Sequence, residues 1–238
     1  MTSETEQGNS LPAGQLILYT YFRSSCSCRV RTACNIKKLP VTYRYVNLLE
    51  GEQRAASYLE VNPGGVVPTL VVTDATGRPI VTISQSIAIL EYLEEAFPNS
   101  RQLLPPVTQP VARARVRELV NTIACDVQPP TNLRVLRRAK GLGVTSEDWC
   151  QEFMDFGLRA YEALLARNPQ RYSVGEDITM ADVVLAPAIE NAMRWGMGLA
   201  KLPNVKRVFE AIRALPEFMD ADWRHQEDTP EALRADQE

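Results

Sequence analysis

The sequence contains a single histidine, His225, among 238 residues. Catalytic triads built on serine or cysteine need an imidazole as general base, and many zinc sites use two or more histidines. His225 stands in the polar stretch DWRHQEDTPEA, where we expect a solvated tail residue without a catalytic role. The sequence therefore predicts chemistry that works without imidazole, and it predicts no metal site.

Long apolar runs and a basic excess are also missing. No segment approaches the roughly 20 apolar residues that span a bilayer, and a net charge of −3 gives no indication of nucleic-acid binding. The start, MTSETEQGNSLPAGQ, lacks the features of a signal or transit peptide. An odd, scattered set of cysteines disfavours a disulfide framework and favours a reduced, cytoplasmic protein. The five are Cys26, Cys28, Cys34, Cys125 and Cys150.

The first hundred residues alternate between strand and helix patterns. QLILYTYF, VTYRYVNL and the two halves of PTLVVTDATGRPIV, which turn at residues 74–77, are typical of strands. Helical patterns begin at Cys26, within EQRAASYLEVN, and in SQSIAILEYLEEAF, where Ser84 and Ser86 are capping candidates. The predicted order is β-α-β-α-β-β-α.

No convincing strand follows Thr108. A helix before QPP is interrupted by two prolines. Another helix starts at Thr145 or Ser146 and is expected to place Trp149, Phe153, Phe156 and Leu164 near one face. TMAD, residues 179–182, has the pattern of a capping box before a further helix. The predicted organisation is a disordered tail (1–14), an α/β domain (15–98), a linker (99–107) and an all-helical domain (108–238).

One stretch resembles a known family closely. YFRSSCSCRVR is similar to the SSCSWRVR signature of the zeta-class glutathione transferases, with Cys28 where tryptophan is usual. GVVPTLVV, SQSIAILEYLEE, TMADVVLAPAIENA, DVQPPTNLRVL, NAMRWG and DTPEALR also resemble that family, so the likeness runs from about Leu16 to Arg234. It implies a thioredoxin-like domain followed by an all-helical glutathione-transferase domain, glutathione as cofactor, and a homodimer.

The serines and first cysteine of this signature are the catalytic candidates. A helix N-terminus favours anions through free amides and its dipole, and a hydroxyl there can donate to a thiolate. The resemblance assigns that donor to Ser24, with Ser25 and Cys26 assisting; the alternative is that both serines only cap the helix. Cys28 lies about 200° around the helix from Cys26, so we interpret it as a packing residue.

The resemblance also implies the binding residues. Glutathione contacts are expected from Ser24, Gln53, Val67, Pro68, Gln85, Ser86, Gln128, Asn132 and Arg134. Arg194 is expected to face the carboxylate of the second substrate, since a guanidinium pairs bidentately with a carboxylate; a charge at a helix end is the alternative. The roles of Arg29 and Arg31 stay open, as does that of the basic segment from Arg113 to Lys140, which fits either substrate attraction or a solvated helix face.

The activity that the resemblance implies is glutathione-dependent cis–trans isomerisation of maleylacetoacetate, a small dianionic keto acid of tyrosine and phenylalanine breakdown. The class is also associated with glutathione transfer and α-haloacid dehalogenation. Three alternatives remain: a detoxifying transferase or peroxidase, a thiol transferase using Cys26, and a non-catalytic binding module.

Overall fold

The computed structural model describes residues 14–167 and 169–234. The predicted tail therefore lies outside the described residues, except for Gly14. Within these ranges no helix is both long and apolar enough to cross a membrane.

The N-terminal half is a four-stranded mixed sheet with helices on it. The elements are β1 (Leu16–Thr20), α1 (Ser25–Lys37), β2 (Val41–Tyr45), α2 (Ala56–Val61), β3 (Thr69–Thr73), β4 (Pro79–Ser84) and α3 (Ser86–Ala96). The strand order is β2-β1-β3-β4, with β1 parallel to β2 and the other two pairings antiparallel. The predicted β-α-β-α-β-β-α order and thioredoxin-like fold are confirmed.

The C-terminal half is helical. It contains α4 (Pro110–Asn121), α5 (Leu133–Lys140), α6 (Ser146–Ala166), α7 (Met180–Arg194), α8 (Pro203–Arg213) and the short α9 (Pro216–Met219). A π-helical segment, Thr122–Val127, and a 3-10 turn, Pro129–Thr131, separate α4 from α5. The predicted interruption at the two prolines is the 3-10 turn.

Local caps fix where the helices of this half begin. Thr145 accepts a hydrogen bond from the Asp148 amide and so starts α6. The predicted capping box starts α7: the Asp182 carboxylate accepts from the Thr179 amide at 2.8 Å, and also from the amide of Ser173 in the preceding loop. The α7 cap therefore ties that loop to the helix as well.

The two halves share one apolar core. Buried side chains of the sheet and of α1 and α3 are continuous with those of α4, α6, α7 and α8, and α1 packs directly against α7. The connection between the halves is also fixed, because Glu94 pairs with buried Lys37 at 2.7 Å and accepts the amides of Leu103 and Leu104. The C-terminal end of α1 is thereby tied to α3 and to the connection between the halves.

The side chains expected near one face of α6 do not form its buried face. Phe156 is 73% exposed, and the buried face is formed instead by Cys150, Met154, Gly157, Leu158, Tyr161 and Leu165. Gly157 explains the difference: a Cβ there would clash with the Val127 side chain, so the π-helical segment lies directly on this glycine. The face of α6 that packs inward is set by that close approach.

Candidate active site

The predicted catalytic serines lie at the start of α1 and differ in their hydrogen bonds. Ser24 is the N-cap, and its Oγ accepts from the Ser27 amide at 3.1 Å. Ser25 donates its hydroxyl proton to the Pro187 carbonyl of α7 at 3.3 Å. Because the Ser24 hydroxyl acts as an acceptor in its cap bond, its own proton is free for a ligand. The first turn of α1 carries no acidic residue, so the helix dipole there is not neutralised.

Both serines line a cleft of about 700 Å³ between the two halves of the molecule. That volume lies within the range of small-molecule sites. One wall is α1, a second is α7, and the third is formed by α8, α9 and the segment that follows them. The polar and charged side chains that line it include Arg23, Ser24, Ser25, Cys28, Glu190, Arg194, Arg213, Asp222, Arg224 and His225.

Positive charge dominates this cleft. Arg224 is neutralised, since it lies 2.7 Å from Asp222 and 3.2 Å from Glu190. Among the described residues, Arg23, Arg194 and Arg213 have no carboxylate at ion-pairing distance. Three unpaired guanidinium groups in one cleft suit a ligand with more than one carboxylate.

Arg194 is the last residue of α7 and lines the cleft, and its contact with a substrate carboxylate stays a prediction. Its Nη2 donates to Asn191 Oδ1 at 2.6 Å, and its guanidinium lies 4.6 Å from the Trp195 ring centre. Burial, and then the nearby charge of Arg23, lower the pKa of Arg194. An anion between these two arginines would relieve their repulsion, so the arrangement favours a bound carboxylate.

The cysteines occupy different surroundings from those expected. Cys28 lines the cleft, where its thiol donates to the Ala221 carbonyl at 3.3 Å, and burial raises its pKa. Cys26 is half-buried on the first turn of α1 and does not line this cleft. All five cysteines are free thiols. The catalytic role of Cys26 stays a prediction, and Cys28 is the cysteine on the cleft wall.

The predicted glutathione contacts of the sheet domain lie around β3 and α3. The Val67–Pro68 peptide bond is cis, as the resemblance implies. Gln85 has a positive φ of 74° and precedes Ser86, the first residue of α3. The capping interpretation of Ser84 and Ser86 is wrong, because the N-cap of α3 is Gln85 and no side chain caps it. Ser86 Oγ instead accepts from Arg29 Nη1 at 3.1 Å.

Gln53 lies beside the loop that leads to the cis proline. Its backbone oxygen is the nearest atom to a Cβ built on Gly65, at 3.1 Å. The side chain is buried and donates weakly to the Leu48 carbonyl at 3.4 Å, while its Oε1 has no hydrogen-bond partner in the described part of the chain. A buried amide oxygen without a donor fits the peptide N–H of a ligand.

The three predicted contacts of the helical domain are not brought to the cleft. Gln128 and Asn132 lie on either side of the 3-10 turn and bond to each other at 2.7 Å, and Arg134 is exposed on α5. None of them lines the cleft. Their glutathione contacts therefore stay predictions.

Sequence reasoning missed the third wall. His225 was expected in a solvated tail, but it borders the cleft, as do Trp223 and Arg224. This segment is held because the Ala221 carbonyl accepts from Arg31, and Asp228 accepts from the Phe22 amide at 2.8 Å. The tryptophan in DWRH was the available signal, since a large aromatic side chain is rarely left in solvent.

The basic central segment does not contribute to the cleft charge. None of its residues lines the cleft. Arg117 pairs with Glu91 at 2.8 Å, Arg115 pairs with Glu118, and Arg134, Arg137 and Arg138 are exposed on α5. The solvated helix face is therefore the better interpretation of this run of charge.

Comparison with known proteins identifies the architecture. Family models for the N-terminal and C-terminal domains of glutathione S-transferase match residues 23–96 and 142–219. Maleylacetoacetate isomerase maiA of Aspergillus fumigatus is 49% identical over 92% of this chain and 95% of its own length.

Two solved structures are similar over nearly the whole chain. Maleyl pyruvate isomerase, described as a bacterial zeta-class glutathione transferase, has a TM-score of 0.81 at 35% identity, covering 90% of this chain and 100% of its own. Maleylacetoacetate isomerase of Anaeromyxobacter dehalogenans, solved with dicarboxyethyl glutathione and citrate bound, has a TM-score of 0.82 at 37% identity, covering 93% and 96%.

A thioredoxin-like domain joined to a helical domain, with a cleft at the start of α1, is the architecture of a glutathione-dependent enzyme. The chain belongs to the glutathione S-transferase family. Within that family its similarities fall in the zeta class, and glutathione is its cofactor.

Proposed function

We propose that this protein converts maleylacetoacetate to fumarylacetoacetate. The observation that carries the proposal is that Ser24, at the N-terminus of α1, lines one cleft together with the guanidinium groups of Arg23, Arg194 and Arg213. The serine at the helix N-terminus suits a thiolate, and the three guanidinium groups suit a dianionic substrate. A relative with this activity in its name, and a neighbour holding a dicarboxyethyl adduct of glutathione, agree with that combination.

The residues present fit glutathione. The unpartnered Oε1 of Gln53 suits a peptide N–H, and the N-terminus of α3 at Gln85 and Ser86 suits a carboxylate. Val67, before the cis proline, would pair its backbone with the cysteinyl residue as a short antiparallel strand does. Gln128, Asn132 and Arg134 would contact glutathione or the neighbouring subunit in the dimer.

Glutathione, when bound, supplies a thiolate that adds reversibly to the double bond, so that the resulting single bond can rotate before elimination. Ser24 donates its free proton to the sulfur and, with the amides of α1, favours the charged form. Ser25 positions α1 against α7 through Pro187. Arg194 and Arg23 hold the substrate carboxylates throughout, and no imidazole is needed because the substrate carbonyls already activate the double bond.

We further propose a cytoplasmic homodimer that uses neither nucleic acid nor a membrane as partner. Five free thiols support the cytoplasmic location, and a net charge of −3 gives no indication of a nucleic-acid partner. The dimer is proposed from the resemblance to the zeta class alone. Static light scattering of the purified protein tests the oligomeric state, and a mass of one chain would contradict the dimer.

The experiment that separates the candidate functions compares four assays with glutathione: maleylacetoacetate or maleylacetone, chlorodinitrobenzene, a peroxide and a mixed disulfide. Preferred turnover of the keto acid supports isomerisation, and preferred turnover of chlorodinitrobenzene or the peroxide indicates a detoxifying enzyme. Disulfide reduction dependent on Cys26 indicates a thiol transferase, and no turnover indicates a binding module.

The variant Arg194→Met tests the contact between Arg194 and the keto acid. It should raise the KM for the keto acid with little change in glutathione affinity, because it removes a contact to one ligand only. Arg137→Met is the matched control, since Arg137 is exposed on α5 and outside the cleft. If Arg194→Met weakened the binding of the keto acid and of glutathione equally, Arg194 would have a structural role.

A further inference from the structure

The two arginines of the RVR motif are the largest fully buried side chains of the described chain, Arg29 at 2% and Arg31 at 1% exposure. They are two residues apart, so they leave α1 on nearly opposite sides. Arg31 is fully engaged by neutral acceptors, namely Thr20 Oγ1 and the carbonyls of Tyr21, Phe22 and Ala221. Its role is structural, because it joins β1, α1 and the C-terminal segment.

Arg29 is bonded very differently. Its one hydrogen bond runs from Nη1 to Ser86 Oγ at 3.1 Å, and its Nε and Nη2 are buried without a partner in the described part of the chain. The described residues also give it no carboxylate at ion-pairing distance. A buried charge without a counter-ion is costly, and folded proteins rarely keep one without a use.

The direction of the bond to Ser86 matters. Arg29 can only donate, so the Ser86 oxygen accepts and its own proton is directed elsewhere. Ser86 opens α3, an eleven-residue helix whose first turn contains no acidic residue. The serine proton, the free amides of α3 and the charge behind them therefore favour an anion at one place.

We propose that Arg29 is a positioning residue that acts through Ser86 to bind a carboxylate at the N-terminus of α3. The inference rests on the proposed function, because the carboxylate is the α-carboxylate of the γ-glutamyl residue of glutathione. Arg29 does not touch this ligand. It orients the Ser86 hydroxyl as a donor and supplies the charge that the carboxylate balances.

This arrangement has a thermodynamic consequence. The ligand-free protein carries an uncompensated buried charge, and the ligand relieves it. Arg29→Met should therefore leave the melting temperature of the ligand-free protein unchanged or higher, while weakening glutathione binding at least tenfold. If Arg29 were merely structural, Arg29→Met would instead lower the melting temperature of the ligand-free protein and would not selectively weaken the binding of a ligand that carries the α-carboxylate.

The test is calorimetric titration of the full-length protein with glutathione and with γ-aminobutyryl-cysteinylglycine, which lacks only the α-carboxylate. We expect Arg29→Met to lose affinity for glutathione and to bind the analogue within twofold of wild type. Arg29→Lys, which keeps a charge and one donor, should retain most of the affinity, and it serves as the informative variant if Arg29→Met does not fold. Ser86→Ala combined with Arg29→Met should lose no more than the larger single effect.

Equal loss of both ligands in Arg29→Met, or additive losses in the double variant, would overturn the inference. Failure of the proposed function is distinguished by wild-type turnover of maleylacetone. Absent turnover together with a carboxylate-selective loss would leave the Arg29 inference standing without the isomerase. Normal wild-type turnover of maleylacetone, with Arg29→Met losing affinity for glutathione and the analogue equally, would overturn the Arg29 inference and leave the proposed function standing.

Discussion

Ser24 combines two tasks in one hydroxyl, and a substitution there can separate them. Ser24→Ala removes the cap of α1, at a cost of about 1 kcal/mol in unfolding free energy. It also removes the proposed donor to the thiolate, so kcat/KM for isomerisation should fall more than about tenfold. Urea unfolding and steady-state kinetics measure the two effects.

Thr145→Ala is the matched control for Ser24, because it removes the cap of α6, at 3.0 Å from the Asp148 amide and away from the cleft. It should cost similar stability and leave the kinetics unchanged. If Ser24→Ala behaved like Thr145→Ala in both assays, capping would be its whole role, and the thiolate donor would be Ser25 or the backbone.

The position of Cys28 on the cleft wall leads us to expect that Cys28→Trp narrows the range of substrates. Because its side chain borders the cleft, Cys28→Trp should fold and fill the space between α1 and the C-terminal segment. Turnover of a bulky electrophile such as ethacrynic acid should then fall more than turnover of maleylacetone. Cys26 lies outside the cleft wall, so Cys26→Ala should leave the ratio of ethacrynic acid turnover to maleylacetone turnover unchanged. An unchanged ratio in Cys28→Trp would show that the substrates do not reach this wall.

Single residues were predictable where their partners are close in the chain. Ser24 as a cap follows from its position before a helical stripe. The bond from Arg29 to Ser86 joins residues 57 positions apart, and no local pattern indicates it. His225 was misjudged for the same reason, because its neighbours in sequence are polar while the residues that hold its segment, such as Arg31, lie almost two hundred positions earlier.

At the scale of elements, local capping chemistry predicted where α6 and α7 begin, and the turn at residues 74–77 was placed correctly between β3 and β4. The π-helical segment before Pro129 was not foreseen, because its stability comes from the close approach to Gly157 on another helix. The exposure of Phe156 has the same cause, because the close approach at Gly157 turns another face of α6 inward. Element existence follows from periodicity, whereas the face an element buries depends on packing.

Arg31 allows a prediction about the segment after α9. Arg31→Met removes five hydrogen bonds to buried acceptors and should lower the unfolding free energy by about 3 kcal/mol or more. It should also raise amide exchange in residues 220–229 and the KM for the keto acid, since that segment forms a cleft wall. Arg138→Met, an exposed change on α5, is the control. Normal exchange in the segment would mean that Asp228 and its bond to Phe22 suffice to hold it.

The whole molecule is acidic, with a net charge of −3, yet its cleft holds three arginines without a carboxylate partner in the described chain. This contrast predicts a salt dependence that follows substrate charge. Raising ionic strength from about 0.05 to about 0.5 M shortens the Debye length severalfold, so the KM for dianionic maleylacetoacetate should rise, while that for uncharged chlorodinitrobenzene should change little. Arg213→Met should flatten the slope for the dianion, because one source of the field is removed. Parallel slopes for the two substrates would mean that salt acts on glutathione binding or on the fold, and that the arginines do not attract the second substrate.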